Sequence, residues 1–319
     1  MKKTGGLRRV AWWLVVAMVV GLAVPTLARL FGIENGVLIV AVAITPWITF
    51  ACVVPLIAAL LLRAWVVAGA AGAMLALGLF WLAPLYVGGG GGGEPVVTVA
   101  TVNMTFGKGD AAAIVAMIDE YDVDLLSVQE ITPEGAAALS AAGIDRLLPH
   151  GEVLAEPGIT GTALYSTFPL KSVRELDGYL SGHIAAVAST PIDDITFLAV
   201  HPRAPGGANH DGWAQEMTWL KEDLAALTGP VIVAGDFNTS RDHKVFREIE
   251  GLGYVDAADR FDAGFRPTFP VNRELFPIVA IDHVMTRDVP LRPATFELVT
   301  IPDADHIAMI VGYAASGGA

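Results

Sequence analysis

Long apolar runs without any charged residue occupy the start of the chain. The runs cover residues 10–28, 35–62 and 64–87. Each approaches or exceeds the ~20 residues that a helix needs to cross the hydrocarbon core of a membrane. A cleaved signal peptide would explain the first run alone, but no small-x-small cleavage site follows it and two more runs do. The pattern therefore predicts three transmembrane helices, with kinks at Pro25, Pro46 and Pro55.

The pattern changes after six consecutive glycines, Gly88–Gly93, which we expect to behave as flexible coil. Beyond them, short β-branched runs alternate with stretches of helical spacing, as in α/β domains. The predicted strands cover residues 96–102, 124–129, 160–166, 183–189, 195–200, 230–234, 280–286 and 308–311. The predicted helices cover residues 110–120, 132–143, 210–227 and 239–249. We therefore divide the chain into a membrane anchor (1–87), a glycine linker (88–93) and an α/β domain (94–319).

Basic residues predict the orientation of the anchor. Four of them (Lys2, Lys3, Arg8 and Arg9) precede the first apolar run, whereas each loop between runs carries one. Positive charge is retained in the cytoplasm, so the N-terminus is expected there. Three crossings would then place the α/β domain outside, which predicts a multi-pass plasma-membrane protein with an extracytoplasmic domain.

The predicted domain is strongly acidic. It contains 14 Lys and Arg against 32 Asp and Glu, a formal charge of −18, and it has no cysteine because the single Cys52 lies in the second apolar run. Such a surface repels a polyanion and gains nothing from counterion release. The charge therefore argues against processive binding of nucleic acid and, together with the predicted anchor, favours a small or lipid substrate. Solubility alone also explains an acidic surface, and a nucleic-acid substrate stays open.

Polar residues lie at six boundaries of the predicted strands. They are Asn103, Glu130, His201, Asp236 with Asn238, Asp282, and Asp305 with His306. Because side chains alternate along an extended chain, Asp236 and Asn238 can face the same way. Turn chemistry alone would not place carboxylates, amides and imidazoles at so many strand ends. This pattern is typical of metal-assisted hydrolysis at a rigid sheet edge.

These residues resemble the endonuclease/exonuclease/phosphatase superfamily, the fold of DNase I, AP endonucleases and neutral sphingomyelinases. The specific motifs are Gly235-Asp236-Phe237-Asn238 and Asp305-His306, with Gln129-Glu130 adding weaker support. The resemblance covers nearly all of the domain, in the correct order. It implies a four-layer α/β sandwich, in which two packed mixed sheets are flanked by helices.

The resemblance also implies a role for each residue. Glu130 would bind a divalent metal, usually Mg²⁺ with Mn²⁺ as an alternative, with Asn103 close by and Asp305 beside the metal. Asp236 and Asn238 would orient or activate water and hold the phosphate. The remaining two implied roles are an Asp282–His306 pair and a phosphate-contacting His201, a position where AP endonucleases carry Tyr. Whether Asp236 or His306 is the base stays open.

Three hypotheses follow. The first is a membrane-tethered, metal-dependent phosphodiesterase or phosphatase acting on a small or lipid phosphoester. The second is an extracellular nuclease with the same mechanism, and the third is a non-catalytic binding module on the same fold. Arg203, His210 and the segment Thr268-Phe269-Pro270 are weaker candidates for substrate contact, whereas His283 is expected to be structural because it points away from Asp282.

Overall fold

The computed structural model describes residues 3–206, 210–271 and 276–316, with side chains from residue 6 onward. The chain divides into two compact units. One is the helical N-terminal part up to Pro84, joined by the short segment Arg241–Lys244, and the other is the rest of the chain from Leu85.

The N-terminal unit is built from helices. They are α1 (Lys3–Phe31), α2 (Val37–Ala43), α3 (Thr45–Ala51), α4 (Val53–Leu61) and α5 (Trp65–Leu82), followed by a 3-10 turn at Ala83–Leu85. Within the described residues, two stretches, Gly6–Phe31 and Trp65–Leu85, are long and apolar enough to cross a membrane. This finding is consistent with membrane association.

The predicted second membrane helix is not continuous. Its two parts, α2 and the stretch Thr45–Leu61, meet at an angle of 72°. Pro46 lies in the first turn of α3 and has no N–H with which to continue α2, which explains the break. Pro25, in contrast, lies inside α1 without ending it. The described residues thus contain two candidate spans, or three if the bent pair crosses as one, so the prediction of three transmembrane helices is supported only in part.

The starts of α1 and α5 lie at the same end of the helical unit. Arg8 Nη2 donates a hydrogen bond to the carbonyl oxygen of Leu62, three residues before α5, at 3.0 Å. Val15 of α1 packs in one cluster with Ala59 and Ala68 from either side of that turn. The chain between α1 and α5 therefore returns to the end from which α1 starts.

The second unit contains two six-stranded mixed sheets within the described residues. The first has the order β11 (Leu291–Thr300), β12 (Ile307–Ala315), β1 (Val97–Asn103), β2 (Leu125–Gln129), β4 (Thr162–Ser166), β3 (His150–Leu154). The second has the order β5 (Leu170–Glu175), β6 (Ile184–Ser189), β7 (Asp194–Val200), β8 (Val231–Asp236), β10 (Asp282–Arg287), β9 (Val255–Asp256). The pairs β1–β2 and β7–β8 are parallel, and the other pairs are antiparallel.

Helices connect and flank these sheets. They are α6 (Ala111–Glu120), α7 (Pro133–Ala142), α8 (Ile144–Leu147), α9 (His210–Ala226), α10 (Lys244–Glu250) and α11 (Ala257–Phe261). Asp110 and Thr132, the first residues of two predicted helices, cap α6 and α7 through hydrogen bonds from first-turn N–H groups, and Gly143 ends α7 with φ of 102°.

The core lies between the two sheets. On β1, Val99 packs in the same cluster as Phe197 of β7 and Ile232 of β8. The alternate residue Val102 faces the opposite way and packs with Ile114 of α6. Burying each such side chain contributes roughly 1.5–3 kcal/mol. The predicted arrangement of two packed mixed sheets flanked by helices is confirmed.

Some elements differ from the prediction. The helix predicted from Thr239 begins only at Lys244. Thr239 is fully buried and makes other hydrogen bonds: its hydroxyl accepts one from Trp213 Nε1, and its carbonyl bonds to His283 Nε2. Strands β3, β5, β9 and β11 were not predicted. In β5, for example, every residue after Leu170 is exposed, so no apolar alternation marks it.

The glycine linker is bound to the second unit. The N–H groups of Gly88 and Gly90 donate to the two carboxylate oxygens of Asp262. A Cβ atom at Gly91 would lie 2.0 Å from a ring carbon of Phe261, so only glycine fits there. These contacts differ from the flexible coil expected of six glycines, because a nearby carboxylate accepts their backbone hydrogen bonds.

Candidate active site

The strand ends of the two sheets meet at one edge. Asn103 ends β1, Glu130 directly follows β2, and Asp236 ends β8. The Asn103 amide nitrogen lies 3.3 Å from Glu130 Oε1 and 3.2 Å from Asp236 Oδ2, so one side chain joins carboxylates from both sheets. The Asn103 oxygen accepts a hydrogen bond from Thr105 N–H at 2.9 Å. Asn103 therefore aligns the two acids, and its role as a metal ligand stays a prediction.

Two antiparallel strands start at the same edge. Asp282, the first residue of β10, lies opposite Asp236 in the strand register, and His306 immediately precedes β12. His306 Nδ1 lies 2.9 Å from Asp282 Oδ2, and its Nε2 lies 3.6 Å from Asp236 Oδ2. The ring of Phe269 packs against His306 with the centroids 4.6 Å apart. The imidazole is thus held between two carboxylates and against an aromatic ring.

His201 and Asn238 approach Asp236 from the β7 and β8 loops. His201 Nε2 lies 3.7 Å from Asp236 Oδ2. Asn238 donates its backbone N–H to Asp236 Oδ1 at 2.8 Å and its side-chain amide to the carbonyl of Pro202 at 2.9 Å. With φ of 47°, Asn238 is not extended, so a turn brings it beside Asp236 and the expected strand alternation does not.

Glu130 and Asp305 are both held from the loop after β1. Phe106 N–H donates to Glu130 Oε2 at 2.8 Å. The Thr105 hydroxyl lies 2.6 Å from Asp305 Oδ1 and also accepts the Asp305 backbone N–H at 2.7 Å. Sequence reasoning missed Thr105, since nothing marks a lone threonine two residues beyond Asn103 as the partner of an acid 200 positions away.

Several non-glycine residues of this region have left-handed backbone conformations. They are Thr105, Phe106, Glu130 and Asn238, with φ between 47° and 57°. Such conformations cost of order 1–3 kcal/mol each and cluster at functional sites, where surrounding contacts maintain them. Here the hydrogen bonds to Asp305, Glu130 and Asp236 supply those contacts.

A pocket of about 220 Å³ opens over these groups. Its polar lining among the described residues consists of Glu130, Ser181, His201, Arg203, Asp236, Asn238, Asp305 and His306. The apolar lining consists of Phe106, Ile159, Leu180, Ala204, Phe269 and Ile281. The structure thus brings together all the predicted site residues, six of them at the pocket surface and Asn103 and Asp282 hydrogen-bonded to them. Phe269 comes from the segment considered for substrate contact.

The pocket wall near Arg203 depends on a buried acid that the sequence did not indicate. Glu216 of α9 is 3% exposed and accepts hydrogen bonds from the backbone N–H groups of Leu180 and Arg203, at 3.2 and 2.8 Å. It also forms an ion pair with Arg203 Nε at 3.2 Å. The available signal was its position, three residues after Trp213 on the apolar face of α9.

Burial and neighbouring charges shift the pKa values of the catalytic candidates. Burial raises the pKa of Asp236, only partly offset by the charge of His306. Burial opposes the charge of His306, but the carboxylates of Asp282 and Asp236 outweigh it, and the pKa of His306 is raised. Burial, followed by the charges of His183 and His306, lowers the pKa of His201 to about 3. At neutral pH, His306 is therefore an imidazolium and His201 is neutral.

The donor set fits a hard divalent cation. Four acids (Glu130, Asp236, Asp282 and Asp305) lie in or beside the pocket, whereas its described lining supplies only Arg203 and the His306 imidazolium as positive groups. Burial raises the pKa of Glu130, which shows that its negative charge is poorly compensated there. Oxygen donors with excess negative charge are the ligands that Mg²⁺ prefers.

Asp236, Asp282 and His306 also lie close enough together to share one metal ion. One ligand atom from each of Asp236, Asp282 and His306 lies within 4.8 Å of the others. However, His306 Nδ1 already bonds to Asp282, so these three groups are joined by hydrogen bonds and charge. Glu130 and Asp305 remain the favoured metal ligands, as a prediction.

His283 lies on the opposite face of β10 from Asp282. Its Nδ1 lies 2.7 Å from Asp256 Oδ2, its Nε2 lies 3.0 Å from the carbonyl of Thr239, and its ring contacts Phe246. It is thus part of the packing beneath the site, as expected. His210 begins α9 and is not among the pocket-lining residues described above.

Two packed mixed sheets with acids, amides and imidazoles along one shared edge define a DNase I-like fold. The model of the endonuclease/exonuclease/phosphatase family matches residues 100–306, a segment that contains every predicted site residue. The chain belongs to this family, whose name describes hydrolases of phosphoesters. A search of curated protein sequences finds no match to this chain.

Solved structures show the same fold. A humanized TDP2 from D. rerio has a TM-score of 0.59 and 12% identity, over 69% of this chain and 99% of that one. An AP endonuclease from Archaeoglobus fulgidus has a TM-score of 0.56 and 16% identity, over 68% and 99%. Sphingomyelinase C from Streptomyces griseocarneus has a TM-score of 0.53 and 15% identity, over 69% and 99%. At these identities the similarity concerns the fold and not the substrate.

Proposed function

We propose that this chain is a membrane-tethered, divalent-metal-dependent phosphoester hydrolase. The observation that carries the proposal is the single pocket in which Glu130, Asp236 and the Asp282–His306 pair converge from both sheets. Family membership supports phosphoester hydrolysis as the reaction. A non-catalytic module would have no need to bury two acids and two imidazoles beside one another at a cost in free energy.

Each side chain has a distinct task in this proposal. Asp236 accepts the proton of the attacking water, and its raised pKa suits a base that works near neutral pH. The His306 imidazolium, fixed by Asp282, faces the phosphoryl oxygens and stabilises the negative charge that grows on them. Asn238, anchored through Pro202, and neutral His201 hold the phosphate in place.

The metal would be held by Glu130 and Asp305, with Asn103 aligning Glu130. Bound Mg²⁺ or Mn²⁺ supplies Lewis-acid stabilisation of phosphoryl negative charge. Phe106 N–H and the Thr105 hydroxyl orient the two carboxylates for this purpose.

A small or lipid phosphoester is the proposed substrate. The domain carries a formal charge of −18, which opposes a polyanion, and apolar helices precede the domain in the chain. Apolar residues Phe106, Ile159 and Leu180 line the pocket and are 40–48% exposed, so they offer contact to an apolar substituent of the ester. The nuclease alternative has structural neighbours such as TDP2 with a single-stranded DNA product.

The proposed topology has three crossings, with the N-terminus in the cytoplasm and the domain outside. The return of the chain between α1 and α5 supports it, because α1 and α5 then run in the same direction. In this proposal residues 1–87 are the anchor, 88–93 the linker and 94–319 the hydrolase domain.

The test uses the full chain in detergent with Mg²⁺ or Mn²⁺, and with a chelator. The substrates are bis(p-nitrophenyl) phosphate, p-nitrophenyl phosphate, sphingomyelin, phosphoinositides, DNA and RNA. We expect hydrolysis only with metal, and a decrease in kcat of ~10²–10³ for Asp236→Asn and for His306→Gln. Glu175→Gln, an exposed acid at the end of β5, is the control and should be fully active. Undiminished hydrolysis in both active-site variants would refute the assignments, and a strong preference for DNA or RNA would favour the nuclease.

A further inference from the structure

A second pocket lies within the helical unit, at the end where α1 and α5 start. It has a volume of about 420 Å³. Its lining consists of Arg8, Arg9, Trp12, Trp13, Leu62, Arg63 and Ala64. Three arginines from two separate segments therefore line one cavity.

These arginines have no acidic partner in the part of the chain that the structure describes. Among residues 3–206, 210–271 and 276–316, no carboxylate pairs with Arg8, Arg9 or Arg63. The only acid in residues 1–87 is Glu34, which follows the opposite end of α1. Like charges around one cavity repel one another, so an anion that enters it is favoured.

The pocket is held together by specific structure. Arg8 Nη2 donates to the carbonyl of Leu62 at 3.0 Å, which ties the first helix to the turn before α5. Arg63 adopts φ of 59° in that turn. Helix α5 starts directly after Ala64 without a side-chain cap, so the positive end of its dipole also lies at the pocket.

Two tryptophans in the lining are consistent with a position of this pocket at the surface of a membrane. Trp12 and Trp13 pack edge to face with the ring centroids 4.7 Å apart, and both line the cavity. Tryptophan is enriched at the level of the lipid headgroups. Leu7, Trp65 and Val66 beside the cavity are 68–88% exposed, so acyl chains can cover the apolar side of a molecule bound here.

We propose that this pocket binds the phosphate of an anionic phospholipid headgroup in the cytoplasmic leaflet. The proposal rests on the membrane insertion proposed above and is independent of the hydrolase reaction. Arginine forks pair with phosphate oxygens bidentately, and the cytoplasmic leaflet is rich in anionic lipid. A bound lipid would fix the α1 start against the turn before α5 and thereby orient the anchor.

The experiment is native mass spectrometry of the full chain in a neutral detergent with equal amounts of phosphatidylglycerol and phosphatidylcholine. We expect retained phosphatidylglycerol in clear excess. The triple variant Arg8→Gln, Arg9→Gln, Arg63→Gln should lose that excess by about tenfold or more. Lys2→Gln, Lys3→Gln is the matched control for N-terminal charge and should keep it.

Two further arms make the result decisive. Circular dichroism and hydrolysis by the triple variant show whether the chain is folded. The double variant Arg8→Lys, Arg63→Lys retains the positive charge but not the bidentate geometry, so it should bind lipid at an intermediate level. Equal retention of both lipids by the unmodified chain, or an excess that survives in the triple variant, would overturn the proposal. Displacement of the lipid by millimolar inorganic phosphate would show a site for free phosphate, which also overturns it.

Discussion

At the scale of single residues, the chemistry of the pocket depends on how carboxylates are shared. The Asp236 carboxylate accepts hydrogen bonds from the Asn103 amide and the Asn238 N–H and also lies beside the His306 ring. The Asp282 carboxylate pairs with His306 at 2.9 Å. One acid is thus available to substrate and water, and the other fixes an imidazole. Because their partners differ, two carboxylates in neighbouring strand positions need not have the same role.

The pairing of Asp282 with His306 predicts a measurable change in protonation. In Asp282→Asn the largest attraction that holds the proton on His306 is removed, while burial, which opposes the charge, remains. The pKa of His306 should therefore fall, and kcat at neutral pH should fall by ~10². Nitrogen-resolved NMR of the imidazole across a pH series measures the pKa, with His306→Gln identifying the signal. An unchanged His306 pKa would contradict the role given to Asp282.

Glu216 offers a second residue-scale prediction. Glu216→Ala leaves Arg203 and two backbone N–H groups without their buried acceptor, which should reduce the free energy of unfolding by about 3–5 kcal/mol. Because those groups form the pocket wall, KM for a generic phosphodiester should rise as well. Urea unfolding, monitored by hydrogen exchange, measures the change in the free energy of unfolding. Steady-state kinetics measures the change in KM.

Lys171→Ala is the control for Glu216→Ala. It removes one side of the exposed Lys171–Asp194 pair, in which both side chains are more than half exposed. Stability and KM should both stay unchanged, since exposed pairs contribute little. If Glu216→Ala behaved like this control, the pocket wall would not depend on the buried acid.

At the scale of elements, β10 separates two functions on its two faces. Asp282 faces the pocket, whereas the next residue, His283, contacts Asp256 and Thr239 beneath it. Strand alternation is the physical reason, because successive side chains point to opposite faces. The element thus joins the site to the packing of Phe246 on α10.

The His283–Asp256 pair predicts how stability depends on pH. Burial opposes the charge of His283, but the Asp256 carboxylate outweighs it and the pKa of His283 is raised above its ordinary value. A group with a raised folded pKa stabilises fully below its unfolded pKa of ~6.5, and the contribution is lost as pH rises through the folded pKa. Each unit of the difference corresponds to about 1.4 kcal/mol.

The measurement is the free energy of unfolding in urea between pH 6 and 10, for the unmodified chain and for His283→Gln. The difference between the two proteins should be largest near pH 6 and should shrink as pH rises. Subtraction removes the contribution of His306, whose pKa is also raised. A difference that is constant over this pH range would refute the charged pair.

At the scale of the whole molecule, the proposed membrane anchor raises the question of which side of a membrane the domain would occupy. With two crossings, the N-terminus and the domain share one side, and with three they lie on opposite sides. By length and composition, the helices allow either two or three crossings, depending on whether the pair bent by 72° crosses as one span. The Arg8–Leu62 hydrogen bond favours three, since the chain must return before α5.

We therefore predict that a C-terminal reporter is active outside the cytoplasm while an N-terminal tag is reached only from the cytoplasm. The location of each end is measured in intact cells with paired reporters. One reporter fluoresces only in the cytoplasm, and the other hydrolyses its substrate only in the exterior compartment. Detection of both ends in the cytoplasm would indicate two crossings and would place hydrolysis on cytoplasmic phosphoesters.

The sequence alone determined the elements and motifs that depend on local physics. Apolar periodicity predicted most strands, Asp110 and Thr132 predicted helix starts, and polar strand ends such as Glu130, Asp236 and His306 predicted the site residues that the structure brings together. These signals are local, because burial pattern and capping act within a few residues.

Only the tertiary structure decided which groups meet. It moved the start of α10 to Lys244, and it placed Thr105 and Glu216 on partners far away in sequence. Such contacts depend on strand order, register and loop closure, which join positions up to 200 residues apart. No pattern within one segment encodes them, since each partner is chosen by the packing of the whole domain.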